Sequence, residues 1–179
     1  PKVISLVAGV RSKKYFSKST NVELIRAMPT TSSRFNKGIT ASLNISSTLS
    51  TYNKAKKMFN KVGMVIELKK EQEMDTFTGL IGSGPAYFFY LLKAYEKRLI
   101  KLCNNDSALT AKAMSGLLEG VALSLEDGSS IDDLIKKVAS KKGTTEAGLK
   151  SFKKNKLLSS FDKGISAAVN RSKEIANES

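Results

Sequence analysis

Short apolar runs separated by turn-forming residues characterise the first part of the chain, up to about residue 70. Such runs are typical of buried strands, and they predict strands at residues 3–8, 22–28, 38–43 and 64–68. Residues 49–62 instead place apolar side chains at helical spacing, and Gly63 follows where a left-handed helix cap would fall. Strands that alternate with helical connections predict an α/β sheet, parallel at least in part.

Helical periodicity dominates from residue 71 to the end of the chain. It predicts helices at residues 71–81, 85–102, 107–126 and 156–176, with Asp106 capping the third. Ser130 and Asp133 form a capping-box pattern before a short additional helix. The third helix carries a ridge of small side chains: Ala113, Gly116, Gly120 and Ser124. A mid-helix glycine costs about 1 kcal/mol against alanine, so this ridge indicates close packing. We expect some of these helical faces to be buried against a second chain.

Composition narrows the chemistry. Hydrophobic residues make up 41% of the chain, and we expect neither a signal peptide nor a membrane-spanning run. Cys103 is the only cysteine, which rules out an internal disulfide and favours a cytoplasmic protein. The chain has no histidine, so zinc and other transition-metal sites are not expected, and the commonest general base is missing. Catalysis would have to rest on positioning, backbone dipoles, hydroxyls or a cofactor.

The formal net charge is +14, which raises the question of nucleic-acid binding. Most of the basic residues are lysines spread along the whole length, whereas recognition of phosphates and bases favours arginine. Nucleic-acid binding therefore stays a weaker alternative.

Two segments carry the candidate chemistry. The first runs from Gly82 to Tyr87, where Pro85 suits a first helical turn and Ser83 could cap it. By itself it predicts a corner between helices. The second begins at Ser140 and leads through Gly143 into a helix start, where free N–H groups and the positive end of the helix dipole could hold a carboxylate. A threonine that only caps the helix is the alternative interpretation of that segment.

Together the two segments resemble the pyrroline-5-carboxylate reductase family. That family pairs a Ser-Gly-Ser-Gly-Pro-Ala-Tyr segment with a Ser-Pro-Gly-Gly-Thr-Thr segment about fifty residues later, a spacing that this chain shares. Further matches cover essentially the whole chain in order: Ala8-Gly9-Val10, Arg26-Ala27-Met28-Pro29, Asp75 with Thr78, Ala167-Ala168 and Arg171-Ser172-Lys173-Glu174.

The resemblance implies an α/β partial Rossmann domain followed by an all-α helical dimerisation domain, helix-rich overall. Residues 1–72 would be the C-terminal half of a Rossmann-type NAD(P)-binding domain, and residues 73–179 the helical dimerisation and substrate-binding domain. The family reduces 1-pyrroline-5-carboxylate to L-proline with NADPH or NADH, in proline biosynthesis. Its helical domains intertwine as homodimers, which can assemble further into rings. We expect no nucleic-acid or membrane partner.

The resemblance also implies the site residues. The substrate carboxylate would be held by Ser140, Gly143, Thr144 and Thr145. The Thr145 hydroxyl would lie near the ring nitrogen as the catalytic group. The segment expected next to the cofactor comprises Leu6, Val7, Ala8 and Gly9, together with Met28 and Pro29. No metal is expected.

The sequence departs from the family pattern at several points. No strand in it is followed by the Gly-x-Gly-x-x-Gly loop that seats a dinucleotide pyrophosphate, so we expect the chain to lack the first half of the Rossmann domain and to bind NAD(P)H weakly alone. Lys141 and Lys142 replace Pro-Gly, and a glycine there could supply a backbone angle that lysine reaches only with strain. Ile81 replaces the first serine of the glycine-rich segment, and Thr30 and Ser32 replace the usual Asn and Pro.

Two further alternatives remain open. The chain could be a non-catalytic remnant that keeps only helical dimerisation. It could also belong to a neighbouring reductase family that acts on another imine or on a hydroxy acid.

Overall fold

The fold is that of a computed structural model, which describes residues 1–16 and 21–178. Four strands form one sheet in the order β1–β2–β3–β4. Their bounds are β1 Lys2–Ser5, β2 Glu23–Pro29, β3 Gly38–Asn44 and β4 Gly63–Glu67. The pairs β1–β2 and β3–β4 are parallel, and β2–β3 is antiparallel. The predicted strands and the partly parallel sheet are therefore confirmed.

Helix α1, Lys13–Phe16, follows β1, and the longer helix α2, Leu49–Phe59, covers one face of the sheet. Thr48 caps α2 through its side chain. Tyr52 and Ala55 of α2 pack with Ile25 of β2, and the Tyr52 hydroxyl donates to the Ser42 carbonyl at 3.2 Å. These buried contacts attach the helix to the middle of the sheet.

Gly63 begins β4 directly after a short 3-10 turn, Asn60–Val62. Its φ of 150° and ψ of −146° are not those of a left-handed helix cap, so that prediction is wrong. A side chain would place its Cβ 2.0 Å from the Gly38 carbonyl oxygen. Glycine is needed here because the starts of β3 and β4 approach each other too closely for any Cβ.

The opposite face of the sheet is covered by α3, Glu73–Phe77, which continues into a π-helical turn, Thr78–Gly82. Met74 and Phe77 form a buried cluster with Ala41 and Leu43 of β3. Burying large apolar side chains of this kind contributes about 1.5–3 kcal/mol each. The predicted single helix at residues 71–81 is thus an α-helix and a π-turn in sequence.

The remaining helices are α4 Gly84–Leu102, α5 Ser107–Ser124, α6 Ile131–Val138, α7 Thr144–Lys154 and α8 Leu157–Glu178. Asp106 caps α5 by accepting hydrogen bonds from the amides of Ala108 and Leu109. Ser130 caps α6 by accepting from the Asp133 amide. Both predicted caps are therefore confirmed.

The chain divides into two compact units. The sheet unit comprises Pro1–Pro85 and Lys163–Ser179, and the helical unit comprises Ala86–Asp162. These units differ from a division at residue 72, because α3 packs on β3 and the second part of α8 packs on α3 and its π-turn. A Cβ on Gly79 would lie 2.6 Å from the Val169 amide nitrogen, which shows how closely α8 approaches the π-turn.

Helix α5 with its following turn, Ser107–Asp127, is long and apolar enough to cross a membrane by length and composition, and 6% of that segment is buried. The expectation that no apolar run approaches this length is therefore wrong. The small residues Ala, Gly and Ser separate its larger apolar residues, so the segment does not stand out as one continuous apolar run. A single such helix is weak evidence for a membrane, since a helix that packs against protein passes the same test.

Candidate functional site

The expected cofactor segment lies at one edge of the sheet. Because β1 and β2 are parallel, their carboxyl ends meet there. Leu6 and Val7 follow β1 and are 53% and 55% exposed, whereas Met28 and Pro29 end β2 and are half-buried. Ligands of open α/β sheets bind outside the carboxyl ends of parallel strands. The sequence-predicted residues of the two strands thus share the edge where such a ligand would bind.

Gly9 closes this segment and is fixed by its surroundings. Its φ is 73°, a left-handed angle that side chains other than those of Asn and Asp rarely tolerate. A Cβ there would also lie 2.5 Å from Cγ2 of Ile175 in α8. The exposed Ala8 precedes it. The turn at Gly9 therefore lies directly against Ile175 of α8.

Met28 links this edge to the glycine-rich segment. Its Sδ lies 3.0 Å from the Thr78 hydroxyl, which donates to the Met74 carbonyl at 2.7 Å. A Cβ on Gly82 would come within 3.3 Å of the Met28 Cε. Gly82 is therefore a contact of the Met28 side chain as well as part of a helix corner, a role that sequence reasoning did not assign to it.

A network of buried and partly buried charges contacts residues 7–12, and sequence reasoning missed it. Arg26 on β2 is only 3% exposed, and its Nη1 lies 2.8 Å from Oε1 of Glu71. Glu71 also accepts hydrogen bonds from the amide and the hydroxyl of Ser12 at 2.7 and 3.1 Å. Arg11 pairs with Asp75 at 2.7 Å, and Asp75 accepts a hydrogen bond from Ser172 of α8 at 3.0 Å. The signal in the sequence was a charged residue in the middle of an apolar strand, which needs a partner when it is buried.

The charge of Glu71 is stabilised by this network. Burial acts to raise the pKa of the Glu71 carboxyl, but hydrogen bonds from the Ser12 amide and from Arg26 outweigh it, so the pKa lies below its ordinary value. Glu71 is therefore the ionised partner of the Arg26 guanidinium at neutral pH.

The expected carboxylate segment lies in the helical unit, where α6 leads into α7. Gly143 is the N-cap of α7, and its amide donates to the Ser140 carbonyl at 3.0 Å. A Cβ on Gly143 would lie 2.3 Å from the Ser140 Oγ, so a larger residue here would require the Ser140 side chain to move. The first intrahelical bond runs from the Ala147 amide to the Gly143 carbonyl. The amides of Thr144 and Thr145 thus lie in the first turn, where an α-helix provides no acceptor.

Lys142 has a left-handed backbone angle, as expected for a position where the family has glycine. Its φ is 59°, a left-handed conformation that costs L-residues roughly 1–2 kcal/mol. The Glu146 carboxylate accepts a hydrogen bond from the Lys142 amide and forms an ion pair with Lys150 at 2.8 Å. The hydrogen bond from Lys150 and then that from the Lys142 amide lower the pKa of Glu146. This negative charge in the first turn of α7 weakens the attraction of that helix end for a second carboxylate.

The structure places the predicted site residues in two groups. Leu6, Val7, Ala8, Gly9, Met28 and Pro29 belong to the sheet unit; Ser140, Gly143, Thr144 and Thr145 belong to the helical unit. Thr145 is half-buried and Ser140 is exposed. In the part of the chain that the structure describes, no three His, Cys, Asp or Glu side chains cluster as metal ligands would.

Comparison with known proteins gives one consistent result. Residues 71–175 match the family described as pyrroline-5-carboxylate reductase dimerisation. The chain is 31% identical to pyrroline-5-carboxylate reductase 1 of Bacillus subtilis over 98% of its own length and 60% of that protein. It is 33% identical to the pyrroline-5-carboxylate reductase of Synechocystis over 99% of its own length and 67% of that protein.

Solved structures agree. A pyrroline-5-carboxylate reductase from Coxiella burnetii has a TM-score of 0.83 at 31% identity, covering 98% of this chain and 66% of that one. The pyrroline carboxylate reductase of Plasmodium falciparum, solved with NADP bound, has a TM-score of 0.84 at 26% identity, covering 97% and 66%. The chain belongs to the pyrroline-5-carboxylate reductase family. It spans 60% and 65% of the length of two further curated relatives, from Bacillus spizizenii and Staphylococcus epidermidis.

Proposed function

We propose that this chain forms part of an NAD(P)H-dependent pyrroline-5-carboxylate reductase, which reduces 1-pyrroline-5-carboxylate to L-proline in proline biosynthesis. The observation that carries the proposal is the match to such reductases over 98% of the chain. The two groups of site residues support it, since one suits a nicotinamide cofactor and the other suits a small carboxylate.

The residues at the sheet edge are compatible with a nicotinamide cofactor, either NADPH or NADH. Leu6 and Val7 offer exposed apolar side chains on a hydrogen-bonded backbone, and Met28 and Pro29 extend this surface from the neighbouring strand. These four residues, with Ala8 and Gly9, would hold the cofactor. When bound, the cofactor would supply the hydride, and the protein would supply position and exclusion of water.

The start of α7 would hold the substrate. Ser140, Gly143 and Thr144 offer hydroxyl and amide donors to its carboxylate, and the positive end of the helix dipole adds attraction. The Thr145 hydroxyl would hydrogen-bond at the ring nitrogen. A protonated cyclic imine is already electrophilic, so a positioned hydroxyl can suffice where no histidine is present.

The family match and the exposed apolar surface of the helical unit support a homodimer, which could assemble into larger rings. The occupant of that surface would be a second copy of the chain. We expect the protein to be soluble and cytoplasmic, with no nucleic-acid or membrane partner.

The proposal is tested by NADPH-dependent formation of proline from pyrroline-5-carboxylate, measured by chromatography of the product. A polypeptide of these 179 residues should turn over poorly, because the sequence has no glycine-rich pyrophosphate loop. Addition of a polypeptide with the N-terminal part of a Rossmann domain from a relative should restore activity. If proline forms under neither condition, a non-catalytic dimerisation remnant becomes the better interpretation.

Thr145→Val tests the catalytic role of the Thr145 hydroxyl. It is assayed in the active combination, that is, this chain together with the added N-terminal polypeptide. Loss of the hydroxyl should lower kcat by about 10²-fold or more, in the range of a removed transition-state donor. Thr145→Ser keeps the hydroxyl and is the matched control, which should retain most of the activity. Equal activity of the Val and Ser variants would contradict the role.

A further inference from the structure

We infer that Arg26 is a positioning residue that holds the loop of residues 6–9 in the conformation in which it would meet the cofactor. The inference rests on the proposed function for the identity of that ligand, but its structural part stands on contacts within the sheet unit. Arg26 also belongs to the motif Arg26-Ala27-Met28-Pro29, but its role is inferred here from its contacts.

The register of the sheet puts Arg26 in place for this task. Arg26 pairs with Ser5, the last residue of β1, and with Leu43 of β3. Its guanidinium can therefore reach beyond the end of β1, where the chain leaves the sheet. The Nη2 donates to the carbonyl oxygen of Val7 at 3.3 Å.

The Val7 peptide is held from both sides. Its amide lies 3.4 Å from the Ser5 hydroxyl, which is itself hydrogen-bonded to the Tyr15 hydroxyl, and its carbonyl accepts from Arg26. The backbone is thus anchored while the Val7 side chain stays exposed. Such an arrangement presents an apolar surface in a fixed position at the sheet edge.

The guanidinium is held in turn by Glu71. The ion pair of 2.8 Å lies between an Arg26 side chain that is 4% exposed and a Glu71 side chain that is 20% exposed. The Arg26 Nε is buried and has no hydrogen-bond partner among the described residues. A buried donor left unpaired is unfavourable, so stability alone is a poor explanation for an arginine at this position.

Lysine cannot take over the task. Arginine presents several donors in a planar fork, whereas the lysine ammonium is a single point on a flexible stem. An ammonium at position 26 could keep the ion pair with Glu71 or reach the Val7 carbonyl, but not both. The loop would then lose its contact with residue 26, or that contact would lose the carboxylate that orients it.

Hydrogen–deuterium exchange of the full chain tests the inference without any cofactor. In Arg26→Lys, peptides that cover residues 6–12 should exchange at least tenfold faster than in the wild type, while peptides of β3 should stay protected. Arg34→Lys is the matched control, because Arg34 is exposed and lies over the Phe35 ring at 4.4 Å. Unchanged exchange at residues 6–12 in Arg26→Lys would overturn the inference.

A second variant, Glu71→Gln, is needed if Arg26→Lys unfolds the sheet and so speeds hydrogen exchange in all of its strands. This variant keeps the arginine and removes the charge that orients it, so residues 6–9 should again exchange faster while β3 stays protected. Ser12 is left out of the comparison, because its amide donates directly to Glu71. If exchange at residues 6–9 is unchanged in Glu71→Gln, the inference is wrong.

Kinetics of the active combination separate positioning from general stability. Arg26→Lys should raise the KM for NADPH about tenfold and change kcat and the KM for pyrroline-5-carboxylate less than twofold. A parallel loss of kcat with unchanged KM would indicate a merely structural role and would overturn the inference. If the wild-type combination has no activity, the proposed function fails while the exchange result still decides the anchoring role.

Discussion

The sheet unit and the helical unit differ in how much of their apolar surface they bury. Of the twelve buried hydrophobic residues found in the described part of the chain, only Cys103 lies between residues 86 and 162. The helical unit instead exposes large apolar side chains along α4 and α5, including Phe89, Tyr90 and Leu118. The sheet unit thus assembles a core within one chain, whereas the helical unit leaves an apolar surface exposed, which we propose is covered by a second copy.

The units also differ in how they treat polar groups. The sheet unit buries a network of arginines and carboxylates behind its loop, which costs desolvation and therefore requires well-made pairs. In the helical unit, the ion pairs among the described residues join exposed or half-exposed side chains. Exposed pairs of this kind add little to stability, because solvent screens the two charges. The side chains of the sheet unit are thus positioned by contacts within the chain. We propose that those of the helical unit are positioned by association with a second copy.

The largest effect should come from a charge placed in the exposed groove between α4 and α5. This groove has a volume of about 390 Å³ and is lined by Phe89, Met114 and Leu118. Leu118→Glu should weaken self-association on the order of 100-fold, because a carboxylate would lose its hydration at the interface. Sedimentation equilibrium measures the dissociation constant.

Leu49→Glu is the matched control, since Leu49 is an exposed leucine of the sheet unit. Its dimer should form as in the wild type. A monomeric wild-type chain, or equal weakening by both variants, would break the comparison.

A smaller effect is expected where α8 approaches the π-turn. Gly79→Ala would place a Cβ 2.6 Å from the backbone of Val169. Overpacking of this kind typically costs about 1–3 kcal/mol, and the loss should appear in the free energy of unfolding measured with urea. Gly164→Ala, in α8, meets nothing within 4 Å and should be neutral or stabilising. Equal effects of the two variants would show that the close approach is wrong.

Lys142→Gly should stabilise the turn before α7. The left-handed angle costs lysine roughly 1–2 kcal/mol, and glycine removes that strain. Glycine also makes the unfolded chain more flexible, which offsets part of the stabilisation, so the net gain in the free energy of unfolding should be about 0.5–1 kcal/mol. Thermal unfolding of the helical unit measures it. Lys141→Gly removes the same charge at a position without a positive φ, so it should give no gain. If both variants stabilise equally, relief of strain is not the cause.

The smallest effect concerns the pH dependence of the sheet unit. The pKa of Glu71 is lowered in the folded state, so its stabilising contribution is complete above the unfolded pKa of about 4.3 and disappears as the pH falls through the lower folded-state value. Glu71→Gln should therefore lose stability at pH 7 and show a shallower decline between pH 6 and pH 3. Urea unfolding across this range measures both slopes, and parallel curves would contradict the assignment.

Much of the fold could be predicted because its signals are local. Alternating apolar runs predicted four strands, and Asp106 and Ser130 predicted two helix starts. The division into units could not be predicted in the same way. It depends on α3 packing against β3 and on the end of α8 reaching back to Gly9 and Gly79, which are contacts between distant parts of the chain.

The candidate site divides along the same line. The strain at position 142 follows from a local backbone requirement, and the replacement of glycine by Lys142 pointed to it. The network of Arg11, Arg26, Glu71 and Asp75 involves residues up to 64 positions apart, so its pairs were not predictable from spacing. The roles of the individual site residues remain proposals that rest on the family resemblance and on local geometry.

The central claim is that the helical unit holds the substrate carboxylate at the start of α7. The most direct measurement is an NMR titration of the isotopically labelled chain with L-proline, followed at the backbone amides. We predict saturable shifts at Gly143, Thr144 and Thr145 that are weakened in Thr145→Val and kept in Thr145→Ser. The absence of saturable shifts at these amides, or equal shifts in both variants, would contradict the claim.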